Sequence, residues 1–125
     1  MTRINCVPVE ELTREHLVAE YRELPRIYAL VRKRIEKGDN PTLMPMPSRY
    51  TLGKGHVLFF YNKLGWLTDR YVSLCNEMKR RGYTVNYGDV ASLTNHIPKE
   101  WFGTFTVDDE ALRINRERIM ERLDK

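Results

Sequence analysis

Residues 9–41 read VEELTREHLVAEYRELPRIYALVRKRIEKGDNP, and they carry the clearest structural signal in the chain. We predict a helix over residues 9–24, a kink or a new turn at Pro25, which lacks an N–H group, and a continuation to residue 36. Glu10 and Glu11 suit the positive end of this helix, and Lys37-Gly38-Asp39-Asn40-Pro41 is a strong stop signal. The apolar side chains recur at the spacing of one helical face: Leu12, Leu17, Ala19, Leu24, Ile27, Leu30, Val31 and Ile35.

Two further helices are predicted from the rest of the sequence. One extends from about His56 to Arg81, with Gly65 as a weak point and Gly82 as its C-terminal cap. The other opens at Asp108 and runs to about Leu123. We predict that residues 39–55 form a loop and that residues 83–107 are irregular, although 83–87 alternate and could be a short strand. The predicted fold is all-α: one compact domain, residues 1–125, of three main helices with long irregular connections.

The composition excludes several classes of protein. Apolar residues make up 42% of the 125 residues, so wholesale disorder is not expected. The formal charge of +4 and the pI of about 9.2 are compatible with a polyanionic partner. Cys6 and Cys75 are too few and too far apart for a disulfide framework, and no zinc-ligand spacing occurs, so we expect a reducing cytoplasm and no metal site. No apolar run resembles a secretory or membrane-spanning segment.

A charged cluster in the first predicted helix is a functional candidate. Arg22 and Arg26 lie four residues apart and share a face, and Glu23 is about 100° round from Arg22. One surface could therefore present two guanidinium groups for phosphates beside a carboxylate. Alternatively, Glu23 and Arg26 form an ordinary surface ion pair, and spacing alone favours this alternative.

The first residues supply a candidate nucleophile. Thr2 is small, so we expect Met1 to be removed, which leaves a threonine α-amine at the terminus. With a pKa of about 7.7–8.0, roughly a tenth of such an amine is unprotonated at pH 7, against roughly 0.04% of a lysine amine. The unprotonated amine is the form that attacks an electrophilic carbon.

Unbroken strings of sequence favour a functional role for Arg22, Glu23 and Arg26 over an ordinary surface ion pair. These strings include Thr2-Arg3-Ile4-Asn5, Ala19-Glu20-Tyr21-Arg22-Glu23-Leu24-Pro25-Arg26, Val31-Arg32-Lys33, Gly55-His56-Val57 and Phe59-Phe60-Tyr61. In order and position they resemble the endonuclease V-type pyrimidine dimer DNA glycosylases of bacteriophages and bacteria. The resemblance is close over roughly the first third of the chain and thins toward the C-terminus.

The resemblance implies a mechanism without a metal or another cofactor. The Thr2 amine would attack the anomeric carbon of the damaged nucleotide's deoxyribose, form a Schiff base and permit strand cleavage by β-elimination. The Glu23 carboxylate would stabilise cationic sugar character and steer proton transfers. The implied fold is all-α, with the N-terminal segment threaded between the helices.

The resemblance also implies DNA contacts. Arg3, Arg22 and Arg26 would hold backbone phosphates, and Tyr21 would line the lesion pocket. Further candidates are His16, which could equally be a helix-packing histidine, Lys33, which could equally be a solvated helix end, and Arg118 and Arg122, which match basic family positions after a shift of one residue. Trp101 lies in an irregular segment and fits either a core or a base-stacking role.

Three functional hypotheses follow. The leading one is a DNA repair glycosylase with abasic-site lyase activity at UV-induced pyrimidine dimers. The second is a glycosylase or lyase for another lesion on the same scaffold, and the third is a non-catalytic module that binds DNA through its basic face. Under the leading hypothesis we expect double-stranded DNA with pyrimidine dimers or abasic sites as the partner. We also expect a monomer in the cytoplasm of a bacterial or phage-infected cell, associated with the nucleoid and not with a membrane.

Overall fold

The computed structural model describes residues 3–85 and 90–123, and helices dominate this part of the chain. The α-helices are α1 (Arg14–Glu23), α2 (Arg26–Glu36), α3 (His56–Phe59), α4 (Leu64–Arg80), α5 (Val90–Thr94) and α6 (Asp109–Leu123), with 3-10 turns at Val9–Glu11 and Lys99–Trp101. Within these residues there is no strand, only an isolated antiparallel bridge between Lys63 and Phe102. The all-α prediction is confirmed, and none of the described helices is long and apolar enough to cross a membrane.

The first predicted helix begins later than the periodicity suggested. Residues 9–11 form a 3-10 turn, and α1 starts only after Thr13, whose Oγ1 accepts the His16 N–H at 3.3 Å. A threonine side chain in this role satisfies one of the free N–H groups of the first turn, which places the helix start there. The break predicted at Pro25 is confirmed, because α1 ends at Glu23 and α2 begins at Arg26.

The single helix predicted for residues 56–81 is wrong, because the chain leaves the helix between α3 and α4. The weak point is at residues 60–63 and not at Gly65, which lies in the first turn of α4. The loop after Trp101 forms backbone hydrogen bonds with the residues at this break. The Gly103 N–H donates to the Asn62 carbonyl at 3.0 Å, and the Trp66 N–H donates to the Gly103 carbonyl at 3.2 Å. A tertiary contact therefore divides what local sequence would join.

The end of α4 follows the sequence prediction closely. Gly82 has a φ of 84°, the left-handed region that favours glycine. The Tyr83 N–H donates to the Met78 carbonyl at 2.9 Å and the Gly82 N–H donates to the Lys79 carbonyl at 3.0 Å. These two bonds are the Schellman arrangement that satisfies terminal carbonyls.

The irregular segments agree in part with the prediction. Residues 39–55 form no helix or strand, as predicted. Residues 83–85 form no strand, and residues 86 and 87 lie outside the described part. Trp101 is fully buried, so its role is in the core and not in base stacking.

The core lies between the helices and the N-terminal segment. Residues 4–7 are buried along their whole length, with exposed fractions of 6% or less. Their hydrogen-bond partners come from α1, α3, α4 and α6. The N-terminal segment is therefore held among the helices, as the resemblance implied.

Candidate active site

A cleft with a volume of about 270 Å³ lies where the N-terminal segment meets α1 and α6. Its walls are Arg3 and Asn5 from the segment, Glu15, His16, Ala19 and Glu23 from α1, and Arg118, Ile119 and Arg122 from α6. The fold thus brings five of the predicted site residues together: Arg3, His16, Glu23, Arg118 and Arg122. Both predicted kinds of group, a carboxylate and several cations, therefore lie in one cleft.

Helix α1 presents its cleft-lining residues as one stripe. Glu15, Ala19 and Glu23 follow each other at intervals of four residues, which places them on the same face. Ala19 has no side chain beyond its methyl group, so the space between the two carboxylates stays open. Nearby, the His16 ring Nδ1 lies 2.8 Å from Thr13 Oγ1, so the residue that caps the helix also orients this imidazole.

The cleft carries an excess of positive charge. Burial lowers the pKa of Arg3, and the neighbouring Arg118 and Arg122 lower it further, while Glu23 acts in the opposite direction. Arg3 Nη1 and Arg118 Nε are buried without a hydrogen-bond partner among the described residues. Clustered guanidinium groups with unused donors are suited to an entering phosphate, which supplies charge and acceptors together.

The backbone of Ile4 is held from both sides. Its N–H donates to His56 Nε2 at 2.9 Å, and its carbonyl accepts from the Tyr50 hydroxyl at 2.9 Å. His56 Nδ1 lies 2.7 Å from the Thr51 carbonyl, which can only accept, so Nδ1 carries the proton. Burial lowers the pKa of His56 to about 4, which keeps this imidazole neutral and able to accept the Ile4 N–H.

A second set of buried polar side chains holds residues 5–7. Glu20 on α1 pairs with Arg70 on α4 through bonds of 2.7 and 3.0 Å, and Arg70 Nη1 donates to the Val7 carbonyl at 2.5 Å. Asn5 Nδ2 donates to Glu20 Oε1 at 2.9 Å. Asn115 on α6 contacts Asn5 in turn, with Nδ2 donating to Asn5 Oδ1 at 2.8 Å.

Sequence reasoning missed these holding residues, although a signal was present. Glu20 is in phase with Leu17 and Leu24, and Arg70 is in phase with Leu67 and Leu74. A charge within a stripe of core residues is seldom buried unless it is paired. Two opposite charges of this kind on two helices therefore indicate a buried pair.

Other predicted site residues lie outside this cleft. Tyr21 and Arg22 line a separate groove of about 490 Å³, where the Tyr21 ring stacks on Tyr71 with centroids 6.0 Å apart. Arg26 and Lys33 are exposed on α2 and line neither of these two cavities. Thr2 lies outside the described residues, and Arg3, the next residue along the chain, is the first that the structure describes.

A comparison with known families gives this geometry a context. The model of one family, pyrimidine dimer DNA glycosylase, matches residues 1–90, which is 90 of the 125 residues of the chain. The chain belongs to this family. A pyrimidine dimer DNA glycosylase is a repair enzyme that acts on the bond between a damaged base and its sugar, so its substrate is DNA that contains pyrimidine dimers.

The family match and the cleft do not cover the same part of the chain. Residues 1–90 include the N-terminal segment and α1, and with them Arg3, His16 and Glu23. Helix α6, which supplies Arg118 and Arg122, lies beyond the match. Among the described residues of this glycosylase, no group of three His, Cys, Asp or Glu side chains is placed to hold a metal ion.

Proposed function

We propose that this pyrimidine dimer DNA glycosylase is also an abasic-site lyase and that its nucleophile is the α-amine of Thr2. The observation that carries the proposal is the shared cleft of Arg3 and Glu23. Thr2 is bonded directly to Arg3, so its amine belongs to the residue next to one that shares the cleft with Glu23. A nucleophile and an acid–base group that meet the substrate at one site lower the entropy cost of the reaction.

The proposed reaction uses groups of the chain and of the DNA, together with water. The amine attacks C1′ of the deoxyribose while the bond from C1′ to the base breaks, and the departing base takes up a proton. The attached nitrogen then loses a proton, the bond from C1′ to the ring oxygen O4′ breaks and O4′ takes up a proton, which leaves a Schiff base between Thr2 and C1′. A base then removes a C2′ proton, the bond between C3′ and its phosphate oxygen breaks, and hydrolysis of the Schiff base returns the amine. Glu23 stabilises the cationic sugar and takes part in the proton transfers.

The proposed DNA contacts follow the distribution of cations. Arg3, Arg118 and Arg122 hold phosphates at the cleft, and Arg22 does so from the separate groove. Arg26 and Lys33 hold phosphates from α2, Tyr21 lines the lesion pocket, and His16 is oriented toward the carboxylate or a phosphate. We further propose that the enzyme acts as a monomer on double-stranded DNA, without a metal or another cofactor, in the cytoplasm of a bacterial or phage-infected cell.

Borohydride trapping tests the nucleophile. Borohydride reduces a Schiff base to a stable amine. Wild-type protein mixed with abasic-site or irradiated DNA is therefore expected to form a covalent adduct, and peptide mapping should locate the attachment at residue 2. The Thr2→Ala variant keeps the α-amine and is expected to form the adduct, whereas reductive methylation of the amine should abolish it. An adduct mapped to an internal lysine would overturn the proposal.

The same preparation separates the functional hypotheses. Nicking of irradiated plasmid is expected from a glycosylase with lyase activity and not from a non-catalytic DNA-binding module. Oligonucleotides with a pyrimidine dimer, a plain abasic site or an oxidised base then compare lesions. Faster cleavage of the oxidised base than of the dimer would favour the second hypothesis, a different lesion on the same scaffold.

A further inference from the structure

We propose that Asn115 on α6 is a positioning residue for this reaction. It sets the placement of residues 5–7 against the helices, and through them the placement of Arg3 and the Thr2 amine relative to Glu23. This inference rests on the proposed amine chemistry.

The side chain of Asn115 forms hydrogen bonds with three residues of the N-terminal segment. Asn115 is fully buried, and its Oδ1 accepts the N–H of Cys6 at 2.7 Å and the N–H of Val7 at 3.2 Å. Its Nδ2 donates to Asn5 Oδ1 at 2.8 Å. Three consecutive residues of the N-terminal segment are thus bonded to one amide, which lies more than 100 positions away in the sequence.

These hydrogen bonds form a chain in which the donor and the acceptor of every link are fixed. At one end are two backbone N–H groups, which can only donate, so Asn115 must present its oxygen to them. At the other end is the Glu20 carboxylate, which accepts from Asn5 Nδ2 at 2.9 Å and is itself fixed by Arg70. Each amide between these ends therefore has one permitted orientation, and a change at one link is transmitted to the next.

The position of Asn115 on its helix connects this chain to the cleft. Arg118 and Ile119 follow it by three and four residues, the spacing of neighbours on a helix surface, and both line the cleft. On the other side Asn115 is bonded to Asn5, which lines the cleft as well. Asn115 itself does not line the cleft. It acts through Asn5 on one side and through Arg118 and Ile119 on the other, all of which line the cleft.

Asn115→Asp is the sharpest test, because it changes one link and almost no volume. The carboxylate can still accept from Cys6 and Val7 but places an oxygen opposite Asn5 Oδ1, where a donor stood. If Asn5 turns its amide over, its oxygen then faces Glu20, so the segment has to shift in either case when the introduced carboxyl is ionised. Since a displacement of about 1 Å can cost on the order of a hundredfold in rate, we expect the single-turnover rate of adduct formation at saturating abasic-site DNA to fall by about 10- to 100-fold.

The affinity for DNA separates positioning from a general loss of structure. The cations that bind phosphate are retained in Asn115→Asp, so the dissociation constant for abasic-site DNA is expected to change by less than about threefold. Rates are measured well below the melting temperature and expressed per folded molecule. Tyr28→Phe is the matched control, since it removes a partly buried side-chain hydrogen bond of 2.7 Å to Thr68 away from the cleft. It is expected to lower stability without changing the rate.

The possible results test the positioning role of Asn115 and the proposed function separately. A wild-type rate in folded Asn115→Asp would overturn the positioning role while leaving the amine mechanism intact. Absence of any adduct with the wild-type protein would instead overturn the proposed function. If Asn115→Asp does not fold, Asn115→Thr, which keeps one acceptor and one donor on a shorter side chain, is measured in its place; a rate at least about fivefold below wild type supports the role, and an unchanged rate overturns it.

Discussion

Glu20 and Glu23 show how two carboxylates on one helix acquire different surroundings. Glu20 is 1% exposed and forms a bidentate pair with Arg70, so it is committed to holding the N-terminal segment. Glu23 lies three residues further on, about 300° round the helix, and lines the cleft beside Arg3. Burial with its hydrogen-bond partners makes Glu20 structural, whereas Glu23 faces the cleft and is accessible for the proposed chemistry.

Glu23→Gln is expected to bind lesion DNA but to cleave it at least about a hundredfold more slowly, because the amide cannot accept a proton or carry the stabilising charge. The affinity should be retained, since the change removes a negative charge from a site for phosphates. Single-turnover cleavage and a binding isotherm measure the two effects. Glu15→Gln, on the same stripe of α1 and in the same cleft, is the control and should cleave within a few fold of wild type. Near wild-type turnover of Glu23→Gln would refute its role.

His56 makes the stability of the protein sensitive to mild acid. Its pKa is lowered to about 4 by burial, against about 6.5 in the unfolded chain, so between these values the unfolded state binds a proton that the folded state does not. The free energy of unfolding is therefore expected to be unaffected by this group above about pH 6.5 and to fall by on the order of 3 kcal/mol as the pH drops to about 4.

Urea unfolding at a series of pH values measures this dependence. In His56→Gln the side chain can still accept the Ile4 N–H and donate to the Thr51 carbonyl but does not titrate, so the loss between pH 6.5 and 4 should be much smaller. Glu77 provides an internal comparison: Arg80 and Arg81 lower the pKa of its carboxyl to about 2, so its contribution is lost only as the pH falls below about 4.5. An equal loss in wild type and variant would contradict the assignment to His56.

Among the elements, the start of α4 depends on a segment far along the chain. A Cβ atom on Gly65 would lie 3.0 Å from the carbonyl oxygens of both Phe102 and Gly103. Those carbonyls belong to the loop that pairs with the break between α3 and α4. The glycine that weakens the helix in isolation is therefore what allows the loop to approach it.

Gly65→Ala is expected to destabilise the protein by about 1–3 kcal/mol, because the added methyl group pushes against two backbone carbonyls. Helix propensity alone predicts the opposite, a gain of about 1 kcal/mol. Chemical denaturation distinguishes the two signs. Asn76→Ala, at an exposed position of the same helix, is the control and should be neutral or slightly stabilising. A stabilised Gly65→Ala protein would show that the loop does not constrain α4.

For the whole molecule, the cleft is a product of three distant parts of the sequence. The N-terminal segment, α1 and α6 each contribute walls, and the cations of α6 come next to Arg3 only because the fold closes around residues 4–7. Several arginines of α6 and α4 are paired with glutamates, among them Arg113 with Glu110 and Glu117. Arg118 at the cleft also contacts Glu121, at 3.4 Å, but its buried Nε has no partner among the described residues and can still donate to a phosphate.

Binding to lesion DNA is expected to weaken steeply with salt. Four or five phosphate contacts correspond to a slope of roughly −4 in a plot of log affinity against log salt concentration. Arg118→Ala and Arg122→Ala together should reduce the magnitude of that slope by about 2, whereas Arg113→Ala, whose guanidinium does not line the cleft and is paired with two glutamates, should change it little. A wild-type slope near zero would contradict an electrostatic footprint on DNA.

The sequence was sufficient where the physical cause is local. The break at Pro25, the Gly82 cap and the start of the last helix near Asp108 follow from the loss of an N–H, a positive φ and acids at a helix N-terminus, each of which acts within a few residues. The family was also readable, because the strings that carry it are continuous. What Thr2 does stays a prediction, since that residue lies outside the described part.

Contacts between distant residues were not readable in the same way. The division of the helix predicted for residues 56–81 depends on a loop some 40 residues further on, and the burial of Glu20 depends on Arg70, 50 residues away. Helical spacing placed Arg22, Glu23 and Arg26 together on one surface, yet of these three only Glu23 lines the cleft. Periodicity describes one helix at a time, whereas the walls of the cleft and the hydrogen bonds that hold residues 4–7 come into existence only when several elements pack together.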